Sequence, residues 1–165
     1  MSQNVEGSIQ QGSAVQTITI TAPSGGVSVQ YKVYDGGGLG GLCDPKASGT
    51  LATVSHAAVP GFPAASLVDV TMTGTPPGSA DGLYRSELIP TAAADGLKVG
   101  DSACAETSYT NIVKLDASRG LELYYTKIIV NGAQTLNDVE AAQATSEYQQ
   151  ARQILLSTTE PGRSR

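Results

Sequence analysis

Between Val27 and Tyr34 the chain sets Val27, Val29, Tyr31 and Val33 at every second position, with Ser28, Gln30 and Lys32 between them. Successive side chains of a β-strand point to opposite faces, so strict alternation marks a strand buried on one side. The same period runs through Val15–Thr21 (VQTITIT), where Ile18 and Ile20 share one face and the threonines take the other. It returns at Val68, Val70 and Met72. Pro23-Ser24-Gly25-Gly26 joins the first two runs as a turn, which predicts a hairpin.

Further strands are expected at Leu51–Val54, Leu83–Ile89, Ala105–Val113 and Leu121–Val130, separated by Gly/Pro-rich turns. About seven short strands at this spacing are the signature of an antiparallel β-sandwich of immunoglobulin-like type. No helical pattern lies between them, so a parallel α/β sheet is not expected. Residues 1–14 are polar and glycine-containing and read as an N-terminal arm. The sandwich domain then covers 15–132, and 133–165 forms a C-terminal helix with a polar tail.

That last segment lacks Gly and Pro from Thr135 to Ser157. Ala141, Ala144, Tyr148, Ala151 and Leu155 recur at spacings of three and four, one stripe of a helix over 137–156. Asn137 and Glu140 resemble a capping box at its start. An alanine-rich stripe buries little apolar area. The helix therefore either packs closely on a flat surface or needs a partner chain.

Composition narrows the function classes. The net charge is −5 with ten basic residues, which are scattered apart from Arg163 and Arg165 at the end. Nucleic-acid binding relies on clustered Lys and Arg, so neither a nucleic acid nor an anionic membrane surface is an expected partner. No stretch approaches the roughly 20 apolar residues of a membrane helix. Residues 1–14 carry neither the basic nor the apolar region of an export leader. Only 15% of residues are charged, which fits a surface partly covered by neighbours.

The candidate chemistry is thin. Gly36, Gly38 and Gly41 follow a strand in a G-x-G-x-x-G pattern. The helix that a dinucleotide site needs is broken by Cys43-Asp44-Pro45, so a turn-rich loop is the better reading. His56 is the sole histidine and has no nucleophile motif beside it. With Cys43 and Cys104 far apart, it supplies too few ligands for zinc. The two cysteines are either free thiols or one disulfide. Asp35, Asp44, Asp81, Asp95 and Asp101 sit in turns, where aspartate caps backbone donors, and no calcium-loop spacing joins them. Neither a catalytic set, a cofactor site nor a metal site is expected. Adjacent Tyr124 and Tyr125 face opposite sides of their strand, so one of them is available to a partner. The candidate assembly contacts are Ile9 in the arm, Tyr124, Tyr125, and Tyr148, Ala151 and Leu155 on the helix.

One stretch carries a resemblance. Val68-Asp69-Val70-Thr71-Met72-Thr73 is followed by a Gly/Pro turn, then Gly82-Leu83-Tyr84-Arg85-Ser86-Glu87-Leu88 and Leu97-Lys98-Val99-Gly100-Asp101. With Val29–Asp35 before it, this order resembles the immunoglobulin-like modules of tailed-bacteriophage structural proteins, including head-surface and baseplate components. The resemblance implies a non-enzymatic virion protein made in the host cytoplasm: a capsid decoration or cement protein, homo-oligomeric, whose partners are the major capsid protein or other virion proteins. A tail, neck or baseplate component is the neighbouring reading. A carbohydrate- or receptor-binding module is the alternative of a different class, ranked lower because the chain has no Trp and one Phe.

Overall fold

The computed structural model describes residues 1–10, 13–35, 49–73, 84–103, 113–116 and 121–160. The glycine loop, both cysteines and most of the expected 105–113 strand lie outside these residues.

The protein is mainly β. Its strands are β1 (Ser2–Gln10), β2 (Ser13–Thr21), β3 (Val27–Asp35), β4 (Thr50–Ala58), β5 (Ala65–Thr73), β6 (Tyr84–Pro90), β7 (Val113–Asp116) and β8 (Leu121–Val130). Three helices accompany them: α1 (Thr91–Ala94), α2 (Leu136–Gln143) and α3 (Ser146–Leu156). All pairings are antiparallel, and they run through one sheet in the order β1-β2-β3-β8-β6-β5-β4, with β7 beside β8. The described strands thus follow one hydrogen-bonded path instead of dividing between two facing sheets. The join is β6 with β8, aligned at Glu87 and Lys127. It places opposite charges across from one another at the seam.

Helices cover one face of this sheet. Val27, Val29, Tyr31 and Val33 of β3, Ile128 and Val130 of β8, Ala65 and Leu67 of β5, and Tyr84 and Leu88 of β6 meet Val139 of α2 and Tyr148, Ala151 and Leu155 of α3. The other face of β5 carries a second cluster, in which Val68, Val70 and Met72 pack with Leu51, Ile89, Ala94 and Ala103. β5 is therefore buried on both sides. Its even positions meet α1 and the 97–103 segment, and its odd positions meet the helical layer.

Three local readings need correction. The segment taken for an N-terminal arm is β1, paired with β2 without interruption from Ser2↔Thr21 to Gln10↔Ser13. Its side chains are too polar to announce a strand, and the pairing with β2 makes it one. The single helix over 137–156 is two. Thr145 ends α2 and N-caps α3, its hydroxyl accepting from the Tyr148 amide. Thr135, and not Asn137, caps α2. Its hydroxyl accepts from the Asp138 amide at 3.2 Å and the Asp138 carboxylate accepts from the Thr135 amide at 2.8 Å, a reciprocal capping box. Those donors, first the Gln134 amide and then Thr135, hold the Asp138 carboxyl below the usual carboxylate range.

The C-terminal layer is held by polar contacts as well as by its core. The Ser24 amide and hydroxyl at the β2–β3 turn both donate to the Glu147 carboxylate. Beyond α3, the Glu160 amide donates to the Gly61 carbonyl at 2.9 Å. A Cβ at Gly61 would lie 2.8 Å from the Thr158 carbonyl oxygen, so only glycine admits this close approach.

Candidate assembly edges and a polar cleft

The candidate contacts separate into three groups. Tyr148, Ala151 and Leu155 are 2%, 0% and 0% exposed, all within the chain's own core. They are not assembly contacts. The expectation of a partner rested on an alanine-rich stripe with a small footprint, but the buried positions include Val139, Tyr148 and Leu155, with Ile154 and Leu156 beside them, while Ala141 and Ala144 are exposed. The stripe is larger than alanine, and it closes on its own sheet. Tyr124 and Tyr125 lie on β8, an interior strand whose Tyr125 pairs with Lys32 of β3. Their backbone is therefore not at an edge. Ile9 lies on β1, the outermost strand, opposite Ala14.

The two edges of the sheet are built differently. β4 is guarded. Its register shifts between Leu51 and Thr53. On its outer side the Leu51 amide donates to the Asp101 carbonyl, the Gly100 amide donates to the Leu51 carbonyl, both at 2.9 Å, and Thr50 bridges to Ser102. His56 is exposed on β4, with its Nδ1 3.4 Å from the Ala94 carbonyl oxygen. Bulges and covering loops are the usual ways a sheet blocks further pairing. β1 has none of these devices among the described residues. It runs nine residues in unbroken register, contains no proline, lysine or arginine, and has a single charge at Glu6. No described strand pairs with its outer side. Composition alone hid this edge, because the sign of exposure is the contrast with β4, which only the topology supplies.

A polar cleft of about 300 Å³ opens between α2 and the β4–β5 hairpin, lined by Thr53, Ser55, Asp69, Thr71, Tyr84 and Gln143 among others. Thr53 and Thr71 share a hydrogen bond of 2.7 Å across the hairpin. Asp69 is engaged at both oxygens, by the Tyr84 hydroxyl at 3.1 Å and by Arg152 at 3.5 Å. The Tyr84 and Tyr148 hydroxyls hydrogen-bond to each other. Burial, reinforced by the Asp69 charge, pushes the Tyr84 phenol well above its ordinary range, so it is a neutral donor at every physiological pH. The chain Arg152–Asp69–Tyr84–Tyr148 joins α3 to β5 and β6. Its carboxylate is occupied by these partners, and its chemistry is that of a clamp between layers. Asp95 and Asp101 sit in turns as expected, Asp101 accepting from the Lys98 amide at 2.9 Å. Among the described residues no group of three or more His, Cys, Asp or Glu side chains is placed to hold a metal ion. No described helix is long and apolar enough to cross a membrane.

Comparison with protein-family models, with curated proteins and with solved structures finds no match to this chain.

Proposed function

We propose that the protein is a non-enzymatic structural subunit that joins a larger assembly by strand addition at β1. The observation that carries this is the asymmetry of the sheet. The β4 edge is bulged after Leu51 and covered by the 100–103 segment at Thr50 and Leu51, while β1 presents nine residues in regular register with one charge. Main-chain hydrogen bonds supply the affinity in such augmentation, and alternate side chains supply the specificity. The resemblance to immunoglobulin-like phage modules narrows the assembly to a virion. There the protein acts as a capsid decoration or cement protein that bridges neighbouring subunits of the shell. Many weak copies act together through multivalency.

The test is placement on particles. A labelled full-length chain is mixed with tailed-phage particles and imaged in negative stain. Label over the head surface is the expected result, and label restricted to the tail or baseplate moves the assignment to that neighbouring reading. Failure to associate with any particle removes the virion assignment. Ile9→Lys puts an edge-guarding lysine on β1 and should lower the occupancy.

A further inference from the structure

Asn131-Gly132 follows β8 and is the one Asn-Gly pair in the chain. A glycine after asparagine carries no side chain to shield its own backbone nitrogen. We propose that this turn is a self-modification site, at which the Gly132 nitrogen attacks the Asn131 carboxamide and water then converts the residue to aspartate and isoaspartate.

The structure supplies both reacting groups. Asn131 and Gly132 are exposed immediately beyond β8. Gly132 has a φ of 77°, and a Cβ built on it would meet nothing within 4 Å, so the turn lies open to water. Its amide makes no hydrogen bond among the described residues. An amide that is neither bonded nor buried can lose its proton to solvent hydroxide and act as a nucleophile. The other asparagines are placed worse. Asn4 and Asn111 precede Val5 and Ile112, whose β-branches crowd the attacking nitrogen. Asn137 precedes Asp138 inside α2, where the Asp138 amide is bonded to the Thr135 hydroxyl at 3.2 Å.

The Gly132 amide gives its proton to hydroxide, and its nitrogen bonds to Cγ of Asn131. The Cγ–Nδ2 bond breaks, and ammonia leaves with a proton taken from water. A cyclic imide then joins the two residues. Water opens it at Cγ to give aspartate, or at the main-chain carbonyl carbon of residue 131 to give isoaspartate, with the backbone rerouted through the side chain. Nothing is oxidised or reduced, and water is the sole co-reactant. Loss of ammonia to solvent makes the change one-way.

What Asn131 holds gives the reaction its consequence. Its Nδ2 donates to the Gly25 carbonyl at 2.7 Å, and its amide donates to the Gly26 carbonyl at 2.9 Å. The same β2–β3 turn gives the Ser24 amide and hydroxyl to Glu147 of α3. Asn131 thus ties the end of β8 to the turn that anchors the helical layer. A carboxylate at position 131 replaces the donor facing the Gly25 carbonyl with a second acceptor. Asn131 also lines a cleft of about 270 Å³ with Asp138 and Glu147, so a third negative charge arrives beside two. Both effects push the turn away from β8. The reaction needs no partner chain and is independent of strand addition.

The experiment uses the full chain, incubated at pH 7 and pH 9 in water enriched in oxygen-18 and then digested with trypsin, with unincubated protein as the blank. The peptide Ile128–Arg152 carries both Asn131 and Asn137, and fragmentation distinguishes them. Asn131 should lose its amide on the order of tenfold faster than Asn137, whose helix must first release its cap. The product at position 131 should contain oxygen-18, and it should form faster at pH 9 than at pH 7. In urea the rate at Asn131 should rise by no more than about tenfold, because a single exposed hydrogen bond limits opening by no more than that factor. Asn131→Asp carries the product's charge, and it should speed amide exchange at Ser24 and Gly26 about twofold to tenfold. Equal rates at the two asparagines, an absence of oxygen-18 at position 131, or a larger acceleration in urea overturns the modification site. Unchanged exchange in Asn131→Asp overturns the release of the turn.

Discussion

Thr126 of β8 is fully buried beneath the helical layer, and its hydroxyl has no hydrogen-bond partner among the described residues. A hydroxyl taken from water into such a site without compensation costs about 1–3 kcal/mol. Valine has nearly the same shape and keeps the β-branch that a strand favours. Thr126→Val therefore removes the penalty without opening a cavity. We expect a stabilisation of about 1 kcal/mol, or a rise in Tm of about 2–4 °C for a chain of this size. Urea unfolding followed by circular dichroism should move the midpoint upward with an unchanged slope, because the surface exposed on unfolding is the same. A loss of 1 kcal/mol or more would refute the reasoning, since it would mean that the hydroxyl is satisfied and that its partner was left stranded. Ser86 is the natural comparison. It is equally buried and without a well-formed bond, but it lies close enough to the Tyr84 hydroxyl to draw that phenol's pKa slightly down. Ser86→Ala should therefore gain less.

Three further outcomes follow from the packing. Gly61→Ala forces a methyl against the Thr158 carbonyl and Thr159. It should cost about 1–3 kcal/mol and raise amide exchange across 158–160 before it affects β5. Leu155→Ala empties a fully buried position in the main core and should cost about 2–5 kcal/mol by chemical denaturation. Asp138→Asn loses the charged half of the α2 capping box. The folded-state pKa of Asp138 is depressed, so its contribution is present above the ordinary carboxylate pKa and disappears as pH falls through the lower folded value. The variant should unfold more easily than the parent at pH 7, and the two curves should converge in strong acid.

The sequence was most legible where apolar alternation is strongest. β2, β3, β5, β6 and β8 stand where period two placed them, because Val29, Tyr31, Val68 and Val70 leave no other way to bury one side. It was least legible where the strand or cap depends on a distant partner. β1 carries Ser, Gln, Asn and Glu and becomes a strand by pairing with β2. The break between α2 and α3 has neither glycine nor proline, and Thr145 makes it with one hydroxyl. Helix α1 follows Pro90 in only four residues, too short for a periodic signal. Pairing of all described strands in one sheet is invisible to periodicity, because alternation records which face of a strand is buried and not which strand lies beside it. Of the expected helical stripe, Tyr148, Ala151 and Leu155 are buried, against the chain's own sheet, while Ala141 and Ala144 are exposed. Tyr148 lies against Tyr84 with ring centroids 6.4 Å apart, and that contact joins segments widely separated in sequence. That β1 is the outermost described strand emerged only from the strand order.

The position of β8 between β3 and β6 has a consequence for how the protein is made. The β1–β2–β3 meander leaves the ribosome early, and the β4–β5–β6 meander follows, yet neither can touch the strand that unites them until Val130 has been synthesised. Their apolar sides wait longer still, because α2 and α3 are made after β8. A nascent chain therefore carries two unroofed sheets until α3 has been made. Their exposure ends in a single late event, when the C-terminal helices close over both.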